Sequence, residues 1–306
     1  MMLRVAQLYY GENLTQDEVA RRLLLTRWKI GRLLQEARDT GLVRIEIIHP
    51  RARQHDREAQ LVDRFGLRAA VVVPSQDSDT DMRGEVARAA ADFLCDLRPA
   101  PGVLGVSWGR TLEAVAAAIA QGWTRGVHVV QLNGGLSRSL ARTSAAEVAL
   151  RIAQTGSGAA TLLPAPAIVE RAGTAQALAH EPAVQRTLSL ARRADAILYS
   201  LGAVSEESVL VESGYLSARD VRALQAAGAC GDLLGHFIGP NGQPVDPDLE
   251  SRTVGLSLRD VQASKCAVVV ASGSAKHEAV RAVVSNNLCS VVVTDAATAT
   301  FMLEAA

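Results

Sequence analysis

Two groups of residues carry the chemistry open to this sequence. The first is a set of cations, Arg27, Lys29 and Arg32, within the stretch LTQDEVARRLLLTRWKIGRLLQEARDTGLVRIEI, residues 14–47. Arginine can read guanine through two parallel hydrogen bonds, and both arginine and lysine hold phosphates, so this set suits nucleic acid. The second is a series of four glycine-bearing stretches: GVLGVSWGRTLEAVAAAI (102–119), QLNGGLS (131–137), GACGDLLGHFIGPNGQPVD (228–246) and VVVASGSAKHEAVRAVV (268–284). Ser107, Gly109, Arg110 and Thr111 stand where a strand hands over to a helix. Free backbone N–H groups and a helix N-terminus meet there, which favours an anion. Lys276 adds a cation to a second such turn. Asn133 and Gly134 form a flexible polar turn at a strand end, and Asp232 offers a carboxylate of the kind that accepts from sugar hydroxyls.

Each group has a plainer reading. The cations can be the solvated face of a helical hairpin. The 107–111 turn can be an ordinary strand-to-helix turn capped by Thr111. The Asn-Gly-Gly segment can be a loop, Lys276 a surface charge, and His236 a packed structural histidine.

The elements that position these residues follow from periodicity. Thr15 and Glu18 form a capping box, and Val19, Leu23 and Leu24 then give one apolar face. Thr26 caps a second helix with Ile30, Leu33, Leu34 and Ala37 inward and Arg27, Trp28, Lys29, Arg32, Gln35 and Glu36 outward. Gly41 ends it as a C′ glycine, and residues 42–48 alternate as a strand. Helix, tight turn, helix with a basic outer face is the helix-turn-helix pattern. Residues 49–57 read as a polar linker.

Beyond it, β-branched runs at 69–73, 103–106, 127–132, 158–163, 196–200, 230–234, 267–271 and 290–294 are expected strands. Helices are expected at 83–97, 111–121, 145–155, 181–191, 217–227 and 276–286. That alternation predicts right-handed βαβ units. The expected fold class is α/β: a small N-terminal helix-turn-helix domain, residues 1–52, followed by a doubly wound, mostly parallel-sheet domain, residues 53–306. Ligands bind such sheets at the carboxyl ends of the strands, and all four glycine-bearing stretches are expected there.

Bulk properties narrow the class. The 306 residues carry 32 basic and 32 acidic side chains. Residues 1–57 hold eleven basic and seven acidic residues, a net of +4; the remaining 21 and 25 give −4. A basic head on an acidic body is a nucleic-acid pattern. Cys95, Cys230, Cys266 and Cys289 are too far apart in sequence for a zinc or disulfide framework and read as buried free thiols. No metal and no cofactor is implied. No signal peptide or long apolar run is present, so no membrane partner and a cytoplasmic location are expected.

The residues also carry a resemblance. LYYGENLTQDEVARRLLLTRWKIGRLLQEARDTGLVRIEI closely resembles the N-terminal helix-turn-helix of the SorC family of bacterial sugar-responsive transcriptional regulators. Gln16, Glu18, Ala20, Leu23, Arg27, Arg32, Leu33, Leu34, Ala37, Gly41, Val43 and Ile45 match that family's pattern. Thr26 replaces its usual serine, and Gly31 replaces the serine before Arg32. The match continues in order through WGRT, QLNGG, LPAP (163–166), the GD-x-x-G segment, the glycine-rich turn with Lys276 and VTDAATA (293–299), so it covers essentially the whole chain.

The resemblance implies a domain like the sugar-phosphate isomerase and glucosamine-6-phosphate deaminase fold. It implies that Ser107, Gly109, Arg110, Thr111 and Lys276 hold a phosphate while Asn133, Gly134 and Asp232 serve the sugar. Gln16, Thr26, Arg27, Trp28, Lys29 and Arg32 would face operator DNA. A homodimer or homotetramer is the implied assembly. The related deaminases carry an Asp-Gly-His segment; the corresponding ILYSLGAVSEESVLVESGY (197–215) lacks it, with Ser205, Glu206 and Glu207 instead. Glu206 has no partner in the sequence to orient it as a base, so binding without catalysis is expected. The competing readings are a sugar-phosphate isomerase or hydrolase with an accessory DNA-binding head, and a nucleotide-binding enzyme, for which no fingerprint is present.

Overall fold

The computed structural model describes residues 1–12, 14–43, 53–136 and 145–304. The chain divides into two compact units, Met1–Ala52 and Arg53–Ala306.

In the first unit, α1 (Met2–Ala6) runs on through a π-helical turn, and α2 (Gln16–Leu23) and α3 (Arg27–Asp39) follow. The capping box forms as its residues dictate: Thr15 Oγ1 accepts from the Glu18 amide, and the Glu18 carboxylate accepts from the Thr15 amide at 2.8 Å. Thr26 caps α3 by accepting from the Lys29 amide. Val5, Leu8, Val19, Ala20, Ile30 and Leu34 close a small core. Leu24 departs from the expected apolar face. It caps α2 in the left-handed conformation, φ 54°, and is 93% exposed, because the chain must turn there to bring α3 back. The expected strand over 42–48 lies, from residue 44 onward, outside the described residues.

The second unit runs α4 (His55–Phe65), β1 (Ala69–Val73), α5 (Asp79–Asp96), β2 (Val103–Val106), α6 (Arg110–Ala118), β3 (His128–Gln131), α7 (Ala145–Thr155) and β4 (Ala159–Thr161). It continues α8 (Ala172–His180), α9 (Pro182–Arg192), β5 (Ala196–Gly202), α10 (Val209–Glu212), α11 (Ala218–Ala226), β6 (Gly231–Leu233), β7 (His236–Ile238), α12 (Pro247–Arg252) and α13 (Leu258–Gln262). β8 (Ala267–Val270), a 3-10 turn at Ser274–Lys276, α14 (His277–Ser285), β9 (Val291–Asp295) and α15 (Ala296–Glu304) complete it.

Seven strands form one parallel sheet in the order β1-β9-β8-β5-β2-β3-β4. Alternate strand residues feed two cores. Val71, Leu104, Val129, Leu198 and Val268 pack with α5, α6 and α7 on one face. Val72, Val130, Ile197, Tyr199 and Val269 pack on the other with Leu61 of α4, the apolar side of α14 and Met302 of α15. Both faces are covered, as a purely parallel sheet requires.

Two expectations are corrected. The segment 230–234 is not a parallel strand. β6 and β7 form an antiparallel hairpin hung on the end of β5, where Leu201 pairs with Leu233 and Gly202 with Asp232. Its two-residue turn, Leu234-Gly235, has φ 57° and 95°, the primed-turn geometry that fits strand twist. The expected linker, in turn, is cut short by α4, which begins at His55.

Residues at the start of this unit also blunt the sheet's β1 edge. Gln54 donates to the Val72 carbonyl, and the Val72 amide donates to Glu58 Oε1 at 2.9 Å. Arg53 grips both Glu58 oxygens at 2.8 and 2.9 Å, and Glu58 is only 6% exposed. A row of edge N–H and C=O groups is thereby partly satisfied. Glu58→Ala leaves the Val72 amide without its acceptor and is expected to cost about 1–3 kcal/mol, read as a lower urea midpoint; an unchanged midpoint would show that water replaces the carboxylate at no cost.

Candidate functional site

The strand order reverses once. From β2 the chain builds outward through β3 and β4; from β5 it builds the other way through β8 and β9, which ends beside β1, the strand formed first in sequence. The carboxyl ends of β2 and β5 therefore flank the sheet's switch point, where successive connections leave to opposite sides and a crevice opens. A cavity of about 230 Å³ lies there. Its lining includes Ser107, Gly109, Arg110, Thr111, Asn133, Asp232 and Lys276. Stretches far apart in sequence thus meet because their strands end at one place.

The 107–111 turn is held from beneath. The Ser107 amide donates to the Leu198 carbonyl, its hydroxyl donates to Asn133 Oδ1 at 2.9 Å, and the Trp108 indole N–H donates to the Gly134 carbonyl at 2.8 Å. Gly109 has φ 128°, a region closed to ordinary side chains. No side chain caps α6, so its first N–H groups are left for an anion. Arg110 lies at the mouth, donating to the Glu207 carbonyl at 2.8 Å.

Gly134 is not among the cavity's lining residues. A Cβ there would sit 2.2 Å from the Pro166 carbonyl oxygen, and its amide donates to Val254. It lets the 163–166 segment close on the Asn133 loop and so supports the wall.

Asp232 comes from mid-strand β6, not from the end of a parallel strand. Its Oδ1 accepts from the Gly235 amide at 2.7 Å, which fixes the hairpin turn. Gly202 makes room for its other oxygen. Burial raises its pKa to about 6, against the opposing pull of the Gly235 N–H and the positive His236 and Lys276. Burial likewise lowers the Lys276 ammonium to about 8, helped by the Arg83 and Arg110 charges. The turn that carries Lys276 is anchored by Asp295, which accepts from the amides of Gly273, Ala297 and Thr298 and from the Thr298 hydroxyl. Burial opposes ionisation of Asp295, yet those hydrogen bonds outweigh it and hold the carboxyl below its usual range.

His236 is structural. It is 4% exposed, with Nδ1 2.7 Å from Glu250 and Nε2 3.1 Å from the Leu256 carbonyl. Burial lowers its pKa, but the Glu250 carboxylate and the Leu256 carbonyl, both acceptors, outweigh it and raise the pKa above the ordinary histidine value. Glu206 pairs with Arg222 at 2.8 Å, away from the cavity lining. Of the cysteines, all free, Cys266 and Cys289 are buried while Cys95 and Cys230 are only half-buried.

Sequence reasoning missed Arg83, Ser200, Gly202, Ser205 and Ser208 as lining residues. Arg83 sits on an amphipathic helix where one arginine carries no signature. The turn after β5 stands out in the sequence only for the enzyme motif it lacks.

In the other unit, Arg27, Trp28, Lys29 and Arg32 are exposed on α3, with Gln16 half-buried at the start of α2. Arg27 pairs with Asp17 at 3.5 Å. A shallow depression is lined by Gln16, Arg27, Trp28, Gly31 and Arg32. Thr26 is tied into capping.

A doubly wound domain with a polar, cation-bearing cavity at its switch point, joined in one chain to a helix-turn-helix unit, has the build of a ligand-responsive regulator. Residues 49–304 match the sequence model of the sugar-binding domain, Sugar-bind, and the chain belongs to that family, the SorC-like sugar-responsive transcriptional regulators. It is similar to the deoxyribonucleoside regulator of Bacillus subtilis, 27% identical over 98% of this chain and 96% of that protein. It is also similar to the erythritol catabolism regulatory protein EryD of Brucella abortus, 29% identical over 98% and 95%. The full-length sorbitol operon regulator SorC from Klebsiella pneumoniae shares the fold, with a TM-score of 0.74 at 24% identity over 99% of this chain and 98% of that one. These relatives are regulators, not enzymes, and this protein is a regulator too. Among the described residues no helix is long and apolar enough to cross a membrane.

The raised pKa of Asp232 has a consequence for stability. Its folded value, about 6, lies above the ordinary 3.8, so the stability it contributes is present at low pH and is lost as pH rises through about 6. In the ligand-free protein the wild type should lose up to about 3 kcal/mol relative to Asp232→Asn between pH 4 and 7.5. Urea midpoints at those two pH values test this; parallel curves for the two proteins would contradict it.

Proposed function

We propose that this regulator binds a phosphorylated sugar in the switch-point cavity and does not convert it, and that binding alters its affinity for operator DNA. The observation that carries this reading is the meeting of the uncapped 107–111 turn, Lys276 and Asp232 in one cavity. The phosphate is assigned to the Ser107, Gly109 and Thr111 turn with Arg110 and Lys276, where helix dipole and cations act together. The sugar is assigned to Asn133, whose Oδ1 accepts the Ser107 hydrogen bond and whose amide nitrogen can donate, and to Asp232, a carboxylate able to accept from two hydroxyls. Gly134 serves as support. Catalysis is disfavoured because Glu206 is paired with Arg222 and is not among the cavity's lining residues.

The DNA-facing set is Gln16, Trp28, Lys29, Arg27 and Arg32, with Thr26 fixing the start of α3. Residues 1–52 are assigned as the DNA-binding domain and 53–306 as the effector and assembly domain. A homodimer or homotetramer presents paired recognition helices to half-sites about 34–36 Å, or a multiple, apart. Its place of work is the cytoplasm. Effector binding and DNA binding are linked by one coupling free energy, of the order of 1–3 kcal/mol.

Losing a hydrogen bond to a charged group costs roughly 1.5–3 kcal/mol. Lys276→Ala should therefore weaken a phosphorylated sugar by about ten- to a hundredfold while hardly changing its unphosphorylated form. The Lys276 ammonium, at about 8 in the empty cavity, is raised by a bound anion. Wild-type affinity for the phosphorylated sugar should thus fall as pH rises above about 8, with proton uptake on binding, and the variant should lack that fall. Calorimetry with a panel of sugars and their phosphates at pH 7 and 9.5 decides it. Equal losses for both ligand forms would refute the phosphate assignment.

A further inference from the structure

We infer that Trp28 and Arg32 are the specificity-determining pair of the DNA-reading surface: the indole carries the guanidinium to a guanine, and the depression beside it takes the methyl group of an adjacent thymine. This rests on the proposal that the first unit reads DNA, and it goes further by naming the step that is read.

The helical phase of α3 sets the argument. Ile30, Leu34 and Ala37 are buried; at 100° per residue, Trp28 and Arg32 stand on the opposite pole, one turn apart. A tryptophan here is out of keeping with a solvated basic face. It is 73% exposed, the largest side chain left open to solvent in this unit. The Arg32 guanidinium lies 5.2 Å from its ring centroid. No hydrogen bond or ion pair engages Arg32 among the described residues, whereas Arg22 is spent on Glu12, Arg27 on Asp17 and Arg38 on Gln35. Stacking over a ring leaves the in-plane N–H groups of a guanidinium free and fixes its orientation. The two parallel donors that guanine O6 and N7 require are therefore held in advance.

The depression next to the pair exists because residue 31 is glycine. A Cβ there would meet only the Gln16 amide oxygen, at 3.6 Å, so nothing in the fold requires glycine at this helical position, where it is less favourable than alanine. The missing side chain instead opens a shallow hollow walled by the indole. In the major groove, the group that seeks apolar contact is the thymine methyl. Arginine on guanine and a methyl hollow one residue away select a step in which thymine adjoins guanine.

The full chain is used to select from a library of random 20-base-pair duplexes, and the winning sequence is remade with deoxyuridine for thymine. The wild type should enrich a thymine adjoining a guanine, and removing the 5-methyl at that step should weaken binding about fourfold, the worth of one buried methyl-sized group. Trp28→Ala should lose the thymine preference and become insensitive to deoxyuridine while still binding. Gly31→Ala, which fills the hollow without touching the stack, should lose the thymine preference and keep the guanine. Trp28 is exposed, so its variant folds; an unchanged thermal melt verifies this. Enrichment of the same motif by wild type and Trp28→Ala overturns the inference and leaves DNA reading by this unit intact. No enrichment by the wild type overturns the DNA-reading proposal itself and this inference with it.

Discussion

The site depends on one constraint, the reversal of strand order between β2 and β5. Parallel strands need crossover connections, and those connections have one hand. Two series that start from adjacent strands and grow in opposite directions send their helices to opposite faces. The gap this leaves at the carboxyl edge cannot be filled by either series. Here the 107–111 turn forms one wall, and the β6–β7 hairpin on the end of β5 brings Asp232 to the other. The Lys276 turn follows β8, the next strand along, and Asp295 at the end of β9 pins it from the side.

A cavity built this way concentrates charge where water is scarce. Lys276 is drawn down to about 8 and Asp232 pushed up to about 6 by burial, so in the empty protein each group is held in an unfavourable environment. An anion on the cationic side and hydroxyl donors on the acidic side relieve both. On the proposed reading, part of the binding free energy would come from relieving that cost.

Much of this is legible in the sequence. β1, β2 and α7 fall at their expected positions because β-branched runs and Ala-rich helical patterns are long and flanked by turn residues. The residues at 107–111, Asn133, Asp232 and Lys276 stand out by type alone, as polar or charged groups beside glycines at the ends of apolar runs. The failures have physical reasons. The segment 230–234 reads as a strand of the parallel sheet because Leu234, not asparagine or glycine, takes the first left-handed position of the turn that ends β6. Gly134 reads as part of a ligand loop because a glycine needed for close backbone approach looks the same in sequence as one needed for a ligand. Leu24 reads as core by period, yet its backbone conformation at the helix end turns it outward. Arg83 reaches the cavity through tertiary packing that no local pattern records.

The proposed function requires that this cavity and the DNA-reading unit share one equilibrium. The direct measurement is the affinity of the full chain for its preferred sugar phosphate, taken free and then saturated with a selected duplex, alongside the duplex affinity with and without the sugar. Linkage requires the two ratios to be equal, and the expected shared factor is about 5–150. Sugar affinity that is the same with and without bound duplex would contradict it.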